Sequence, residues 1–446
     1  MTRRLAVAIV LAAAVLPRLA VLLVERGEIL ASLVEKSDRF AQTLVASGTF
    51  GFLPGRPSGY TQPLYAWFLA GLYQVFERHW LVVGVAHIVL AAVTAFVILE
   101  IGRRVASLAV GVVGATIATL HPFLVWHDMH LNREVLDGLL LAVVGLLAVL
   151  AVERAGKLQV VTSSGSALAA ERASKLQVVT SWVVPLALGL ALGLAILGNA
   201  RLALLPLVLA AYVAWPFRPP ARALVAAGAV LAGAILVVTP WMARNEASVG
   251  CFVLTTDTRA LWKANNENTY ETLARGDWID DVPEPPNGPD WPELAADKTR
   301  AGIPTEVDEC EQQLYYRELV FDFWREEPEE KARLSAQAVR MLWSPTFSVD
   351  SDDGGRGRVA ELGRDVAEPV YMVAVYLLAI VGAFFVPRRF LALVLLLEAY
   401  STLAAMAFAG TVRYRAPFDF LLVLLATVAI VRILEWQRTR SAKVRA

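Results

Sequence analysis

Long apolar segments with few charged residues recur along the chain, separated by polar stretches. Each has roughly 16–21 residues, about the length that a helix needs to cross about 30 Å of hydrocarbon. Runs this long without apolar–polar alternation predict helices rather than the strands of a barrel. The ten predicted spans are 5–24, 80–100, 107–125, 134–151, 182–198, 202–217, 222–240, 368–386, 390–410 and 417–434.

The composition supports a membrane protein. Of 446 residues, 57% are apolar and 18% are charged, whereas soluble domains have roughly 45–50% and about 25%. The 41 basic and 41 acidic residues cancel, so no overall field attracts a polyanion. These values exclude a soluble enzyme, a disordered protein and a nucleic-acid binder. The predicted fold class is an all-α polytopic membrane protein with about ten transmembrane helices.

Basic residues in short loops set the predicted orientation. Clusters such as Arg103-Arg104 all fall on the cytoplasmic side if there are ten spans. We therefore predict a multi-pass protein of the plasma (inner) membrane with both termini in the cytoplasm. The predicted parts are an N-terminal transmembrane module 1–240 with a first outer loop 25–79, an outer loop or cap 241–367, and C-terminal helices with a basic tail, 368–446.

The second outer segment is acidic and contains both cysteines. Between residues 267 and 330 it has 19 acidic and 5 basic residues. Near 311–343 the apolar spacing predicts two amphipathic helices. Cys251 and Cys310 could pair in an oxidising compartment, but their spacing alone does not show how far apart they lie.

The first outer loop begins with a predicted interfacial helix. From Glu28 to Ser47 apolar residues recur on one side, and Gly48 is a typical helix stop. Such a juxtamembrane helix lies in the interface and does not cross the membrane. Asp38 falls near the edge of the apolar face, where it is either a solvated interfacial charge or a functional carboxylate.

Five motifs follow one another on the predicted outer side. They are Gly59-Tyr-Thr-Gln-Pro-Leu-Tyr65 after Asp38, His121-Pro-Phe with Leu131-Asn-Arg-Glu134-Val-Leu, Leu194-Ala-Ile-Leu-Gly-Asn-Ala-Arg201, Pro240-Trp-Met-Ala-Arg-Asn245 and Arg413-Tyr-Arg415. Their order resembles the GT-C membrane glycosyltransferases, in particular the dolichyl-phosphate-mannose protein mannosyltransferases and the lipid A aminoarabinose transferase. The chain departs from that pattern because Arg39, not a second acid, follows Asp38, and Gln62 stands where some relatives have a basic residue.

The resemblance implies a GT-C-like fold and sugar transfer from a polyprenyl-phosphate donor to an acceptor hydroxyl at the outer membrane face, with inversion. The implied partners are that donor, a glycan, lipid or protein acceptor and membrane lipid, with no nucleic acid. Because a lipid phosphate is a good leaving group, the acceptor needs a carboxylate base more than the phosphate needs an acid. Asp38 is the predicted base, and Glu134 is the predicted second carboxylate.

The leaving phosphate needs cations, and the planar fork of arginine suits phosphate oxygens. Ionisable residues in spans are functional candidates, although arginines also anchor helix ends by snorkelling. The predicted phosphate ligands are Arg201 and Arg244, which are preferred, with Arg18, Arg413 and Arg415. The predicted substrate pocket adds Tyr60, Gln62, Tyr65, His127 and Asp128.

A metal site is a further hypothesis. His127, His130 and Glu134 are spaced so that a continued helix would place them on one face. Imidazole and carboxylate could then hold Zn²⁺ or Mn²⁺. The alternative is interfacial histidines without a metal, with His127 or Asp128 positioning the acceptor. The transfer itself requires no cofactor.

Two other classes of membrane protein match part of the pattern. A transporter or lipid-linked sugar flippase is also polytopic, but it usually has repeats and helices broken near the midplane. Here the acidic residues cluster at the outer edge instead. An O-antigen ligase or polymerase also has outer arginines and a large outer loop. The early outer Asp38, followed by Gly59-Tyr-Thr-Gln-Pro63, favours the GT-C interpretation.

Overall fold

Helices dominate the computed structural model, which describes residues 2–32, 34–163, 167–217, 219–346 and 362–445. Within those ranges there is no β-strand, so the prediction of an all-α chain is confirmed. The α-helices are α1 (Arg3–Glu25), α2 (Lys36–Ser47), α3 (Pro63–Phe76), α4 (Trp80–Val105), α5 (Leu108–Thr119), α6 (Pro122–His127), α7 (Glu134–Ser163), α8 (Ala167–Gly198), α9 (Leu205–Ala214), α10 (Pro220–Val249), α11 (Thr258–Lys263), α12 (Thr269–Ala274), α13 (Pro292–Arg300), α14 (Glu309–Glu326), α15 (Pro328–Leu342), α16 (Glu368–Ala383), α17 (Arg388–Ala407), α18 (Val412–Arg415) and α19 (Asp419–Arg445).

Six helical segments in the described ranges are long and apolar enough to cross a membrane. They contain α1, α4, most of α7, α10, α16 and α17, and each matches a predicted span. Three other predicted spans match the shorter apolar helices Leu108–Thr119, Trp182–Gly198 and Ala200–Ala214. The tenth predicted span lies in α19, whose residues 419–429 are buried in the bundle.

The predicted span 107–125 is not one helix. α5 ends at Thr119, and α6 begins at Pro122. Proline has no backbone N–H and disfavours helical backbone in the residue before it. His121 accordingly has φ −55° and ψ 119°. The interruption brings the chain after α6 close to the first outer loop, where the Leu131 carbonyl accepts a hydrogen bond from the backbone N–H of Glu35 at 3.0 Å.

The packing of α8 against α10 depends on two glycines. A Cβ atom on Gly189 would lie 2.1 Å from the backbone oxygen of Val230, and one on Gly233 would lie 2.7 Å from that of Leu186. Residues without a side chain allow membrane helices to approach this closely. The two helices share one apolar core with α19.

The segment predicted to be the second outer segment contains α11 to α15, and its first residues belong to α10. α10 continues past residue 240 to Val249, and Gly250 ends it with φ +94°. The two amphipathic helices predicted near 311–343 are confirmed as α14 and α15. Cys251 and Cys310, whose pairing the sequence left open, form a disulfide bond that joins the end of α10 to the start of α14.

The helix predicted from Glu28 to Ser47 is shorter than expected. Arg26–Leu30 is a 3₁₀ helix, and α2 begins only at Lys36. Glu35 precedes it in an extended conformation with ψ 155°, held by its backbone hydrogen bond to Leu131. Gly48 ends α2 as predicted, with φ +71°. The interruption before α2 therefore places Glu35 outside the helix, beside a large cavity.

Candidate active site

A cavity of about 1590 Å³ lies between α1, the start of α2, α6, α18 and the second outer segment. It is larger than the roughly 300–1,000 Å³ of most small-molecule sites. One wall is apolar and is formed by side chains of α1, including Val21 and Val24. The rest of the lining includes many polar residues, which are called the polar wall below. Its charged and hydrogen-bonding residues include Glu35, Lys36, Gln62, His127, Asn132, Arg133, Asn199, Arg201, Asp257, Arg413 and Tyr414.

Glu35 is a carboxylate that the structure places on this cavity. Its N–H donates to the Leu131 carbonyl, and its own carbonyl accepts from the Asp38 N–H, both at 3.0 Å. Its side chain is 17% exposed and accepts a hydrogen bond from Nη2 of Arg413. The carboxylate is thus both oriented and accessible, as a general base must be.

Arg413 links two carboxylates from distant parts of the chain. Its Nη2 donates to Glu35, and its Nε donates to Glu134, the first residue of α7. Glu134 is only 3% exposed and does not line the large cavity. Among the described residues, its Oε2 has no hydrogen-bond partner. The structure therefore brings Arg413 and Glu134 together and joins them to Glu35, not to Asp38.

Arg201 has a different environment. Its Nε donates to Oδ1 of Asn199 at 3.2 Å, and its guanidinium carbon lies 3.2 Å from the centre of the Tyr414 ring. Within the described part of the chain, its buried Nη1 has no hydrogen-bond partner and no carboxylate forms an ion pair with it. Because a buried, uncompensated charge is costly, this side of Arg201 is suited to binding an anion.

Neighbouring side chains hold Arg201 and other polar residues of the cavity in place. Asn199 donates from Nδ2 to Oδ2 of Asp137 at 3.0 Å. Arg133 donates to Oε1 of Gln62 at 3.0 Å, and its Nε lies 3.6 Å from Oδ2 of Asp137. Gln62 lies on the cavity as predicted, and its amide oxygen is used by Arg133.

Lys36 connects the cavity to the second outer segment. Its Nζ lies 3.8 Å from Oδ2 of Asp257 and 3.7 Å from Oε2 of Glu293. Burial lowers the pKa of Lys36, but Asp257, Glu293 and Asp280 together raise it more, so the net pKa is above its usual value. Lys36 therefore stays protonated at neutral pH and keeps α2 close to this segment.

Asp38 does not lie on the cavity, contrary to the prediction. Its carboxylate is 3% exposed and accepts a hydrogen bond from the Tyr73 hydroxyl at 2.6 Å. Arg78 donates to it from Nη2 at 2.9 Å and also binds the Leu30 carbonyl. Burial, together with Asp38, raises the pKa of Tyr73, so its hydroxyl remains a donor. Asp38 is thus enclosed in a structural network with Tyr73 and Arg78.

Arg18 and Asp128 bind each other instead of a substrate. Nη2 of Arg18 lies 2.6 Å from Oδ2 of Asp128, and both side chains are at least 95% buried. Nη1 of Arg18 also donates to the carbonyl of Thr119 at 2.8 Å. The phosphate-clamp role predicted for Arg18 and the pocket role predicted for Asp128 therefore have no support in this geometry.

Arg244 and Arg415 are also occupied by protein groups. Arg244 donates to the carbonyls of Ser58 at 2.8 Å and Phe50 at 3.1 Å, which ties α10 to the first outer loop. Arg415 is fully buried, pairs with Asp419 at 2.9 Å and donates to the Leu342 carbonyl at 2.6 Å. Neither arginine lines the cavity, so both predictions of phosphate binding lack geometric support.

Tyr60 and Tyr65 are buried beside the cavity and do not line it. The ring of Tyr60 lies 5.0 Å from Nζ of Lys36. The hydroxyl of Tyr65 forms a 3.2 Å hydrogen bond with Nε2 of His87. Both tyrosines therefore pack behind the wall of the pocket that the sequence assigned to them.

The three predicted metal ligands do not converge. In the described ranges, no group of three His, Cys, Asp or Glu side chains is placed to hold a metal ion. The His127 ring stacks on Phe123 at 3.9 Å, and Nδ1 of His130 bonds to the Trp126 carbonyl at 3.0 Å. The helix assumed in the prediction is interrupted, since α6 ends at His127 and α7 begins at Glu134.

His127 lies on the cavity, and burial lowers its pKa to about 3 although Glu134 acts in the opposite direction. Between about pH 6.5 and pH 3 the unfolded chain takes up a proton here that the folded chain does not. Stability should therefore fall as the pH is lowered through this range. We expect His127→Phe to lose less thermal stability than the wild type between pH 7 and pH 5. An equal loss in both proteins would contradict this prediction.

Several residues on the cavity were not identified from the sequence. Arg133 and Asn199 stand inside the quoted motifs, each one or two residues from a predicted site residue. Tyr414 separates the two arginines of the last motif. Glu35 precedes Asp38 by three residues, and the two carboxylates differ in their partners, Arg413 for Glu35 and Arg78 with Tyr73 for Asp38.

Comparisons with known proteins find similarity in structure only. No family model and no curated protein matches the chain. It is similar to the Archaeoglobus fulgidus oligosaccharyltransferase in the apo form, with 11% identity and a TM-score of 0.49, over 99% of this chain and 52% of that one. It is also similar to ArnT from Cupriavidus metallidurans bound to undecaprenyl phosphate, with 13% identity and a TM-score of 0.37, over 96% and 77%.

The chain spans about half the length of the oligosaccharyltransferase that it matches. The TM-scores are below 0.5. The roles of individual residues therefore rest on the geometry of the cavity alone.

Proposed function

We propose that the chain is a glycosyltransferase that moves a sugar from a polyprenyl-phosphate donor to a hydroxyl of a glycan, lipid or protein acceptor. The observation that carries this proposal is that one cavity combines the apolar wall of α1, the uncompensated guanidinium of Arg201 and the oriented carboxylate of Glu35. A polyprenyl-phosphate sugar has a hydrocarbon tail, an anionic phosphate and an anomeric carbon that a hydroxyl attacks. The apolar wall of α1 suits the hydrocarbon tail, and Arg201 suits the phosphate. Glu35 suits the hydroxyl that attacks the anomeric carbon.

In the proposed reaction, Glu35 accepts the proton of the acceptor hydroxyl while the acceptor oxygen attacks the anomeric carbon. The bond between that carbon and the phosphate oxygen breaks, and its electron pair leaves with the phosphate. Arg201 stabilises the charge that develops there. Attack opposite the phosphate inverts the configuration, and Glu35 then passes its proton to water. No step is assigned to a metal ion.

The proposal places the cavity on the extracytoplasmic side of the plasma membrane. The disulfide between Cys251 and Cys310 supports this placement, because such bonds persist in oxidising compartments. Arg103 and Arg104, in the last turn of α4, would then face the cytoplasm in accordance with the positive-inside rule.

Binding of undecaprenyl phosphate to the purified protein tests the anion site. We expect Arg201→Gln to weaken this binding about 10-fold or more, since a hydrogen bond to a charged group is worth about 1.5–3 kcal/mol. Arg56→Gln, on an exposed arginine outside the cavity, is the matched control and should bind like the wild type. Equal binding by the Arg201 and Arg56 variants would remove Arg201 from the site.

A product assay separates this function from lipid transport. The protein is incubated with polyprenyl-phosphate-linked sugars and cell-envelope acceptors, and released polyprenyl phosphate and new glycosides are measured. A transferase releases both products in equal amounts. A flippase leaves the sugar–phosphate bond intact, and that result would overturn the proposal.

A further inference from the structure

Arg201 and Arg413, two of the arginines on the cavity, differ in the charge around them. Arg413 donates to the carboxylates of Glu35 and Glu134, so this group of three side chains has a formal charge of −1 when all are ionised. Arg201 contacts the neutral groups of Asn199 and Tyr414. A phosphate is therefore attracted to Arg201, whereas near Arg413 it meets two like charges.

The three side chains come from three separate parts of the chain. Glu35 precedes α2, Glu134 begins α7 and Arg413 lies on α18. Glu35 lies on the cavity, while Glu134 is buried behind Arg413. Glu134 thus holds Arg413 from the interior side, and Arg413 in turn holds Glu35 at the cavity surface.

We infer that Arg413 is a positioning residue for Glu35 and not a ligand of the donor phosphate, and that Glu134 holds Arg413 in place. This inference rests on the proposed function, in which Glu35 is the base. The fixed guanidinium keeps the Glu35 carboxylate at one orientation toward the acceptor hydroxyl. A loss of that orientation slows the chemical step and leaves donor binding to Arg201 intact.

Arg413→Ala tests this inference by separating binding from chemistry. We expect the variant to bind undecaprenyl phosphate like the wild type, while transfer at saturating donor falls about 100-fold. Added guanidinium ion should restore part of the lost transfer, because it occupies the space of the missing group. Glu35→Gln, which lacks the base itself, is the control that guanidinium should not rescue.

A double variant keeps the test interpretable if Arg413→Ala does not fold. Removing Arg413 alone leaves two buried or half-buried carboxylates without their cation, which can destabilise the fold. Glu134→Gln/Arg413→Gln removes the buried carboxylate together with its partner, and we expect it to bind undecaprenyl phosphate but transfer sugar poorly.

Two results would overturn the inference, and a third would overturn the proposed function. If Arg413→Ala weakens the binding of undecaprenyl phosphate as strongly as Arg201→Gln does, Arg413 is a phosphate ligand and the proposed function stands. Undiminished transfer in the Arg413 variants would remove the positioning role. A wild-type protein that neither binds undecaprenyl phosphate nor transfers sugar would instead overturn the proposed function itself.

Discussion

Glu35→Gln is expected to reduce sugar transfer about 10²–10⁴-fold, the usual contribution of a general base. The amide oxygen can still accept a hydrogen bond from Arg413, so the variant should keep its fold and its affinity for undecaprenyl phosphate. The measurement is the transfer rate at saturating donor, together with the melting temperature of the purified protein. The rate should fall without a comparable change in stability.

Asp38→Asn is the matched control, because it changes the carboxylate that the sequence favoured. Asp38 is paired with Arg78 and Tyr73 and does not line the cavity. Its replacement should lower the melting temperature but leave the transfer rate per folded molecule near that of the wild type. Loss of transfer in Asp38→Asn, with full transfer in Glu35→Gln, would return the role of base to Asp38.

Arg18→Met is expected to lower the free energy of unfolding by about 3–5 kcal/mol, the cost of removing one partner of a buried ion pair. Asp128 would then be a buried carboxylate without its cation, since Arg18 is only 2% exposed and contacts it at 2.6 Å. Thermal unfolding in detergent or nanodiscs measures this loss. The fraction of Arg18→Met protein that remains folded should still bind undecaprenyl phosphate.

The double variant Arg18→Met/Asp128→Asn provides the control for this prediction. It removes both charges, so it should be more stable than Arg18→Met alone. A stable Arg18→Met protein that no longer binds undecaprenyl phosphate would instead support the phosphate-clamp role that the sequence suggested.

The helical framework could be predicted from the sequence because burial in lipid demands long apolar runs. The same reasoning missed two interruptions. Pro122 divides the span 107–125, and a long-range backbone hydrogen bond between Glu35 and Leu131 accompanies the late start of α2. The first interruption has a local signal in the sequence, which is Pro122 itself. The second depends on a residue almost a hundred positions away, which no local pattern reveals.

The chemistry of the candidate site was predicted only in part. The sequence shows which arginines lie near the predicted outer side, but not which of them already have protein partners. Arg18 and Arg415 form buried ion pairs, whereas Arg201 is left with neutral neighbours. This difference is set by tertiary contacts, which decide whether a guanidinium supports the fold or binds a ligand.

The apolar wall of the cavity has a consequence for how the rate would be controlled. Val24 lines the cavity and is 77% exposed on α1, a candidate membrane helix. If the proposed function holds, we expect the prenyl chain of the donor to enter sideways from the bilayer without passing through water. Under the proposed function, the donor concentration that the protein experiences is then the number of donor molecules per unit of membrane area. Diluting proteoliposomes with donor-free lipid would slow transfer, whereas diluting the vesicles with buffer would not.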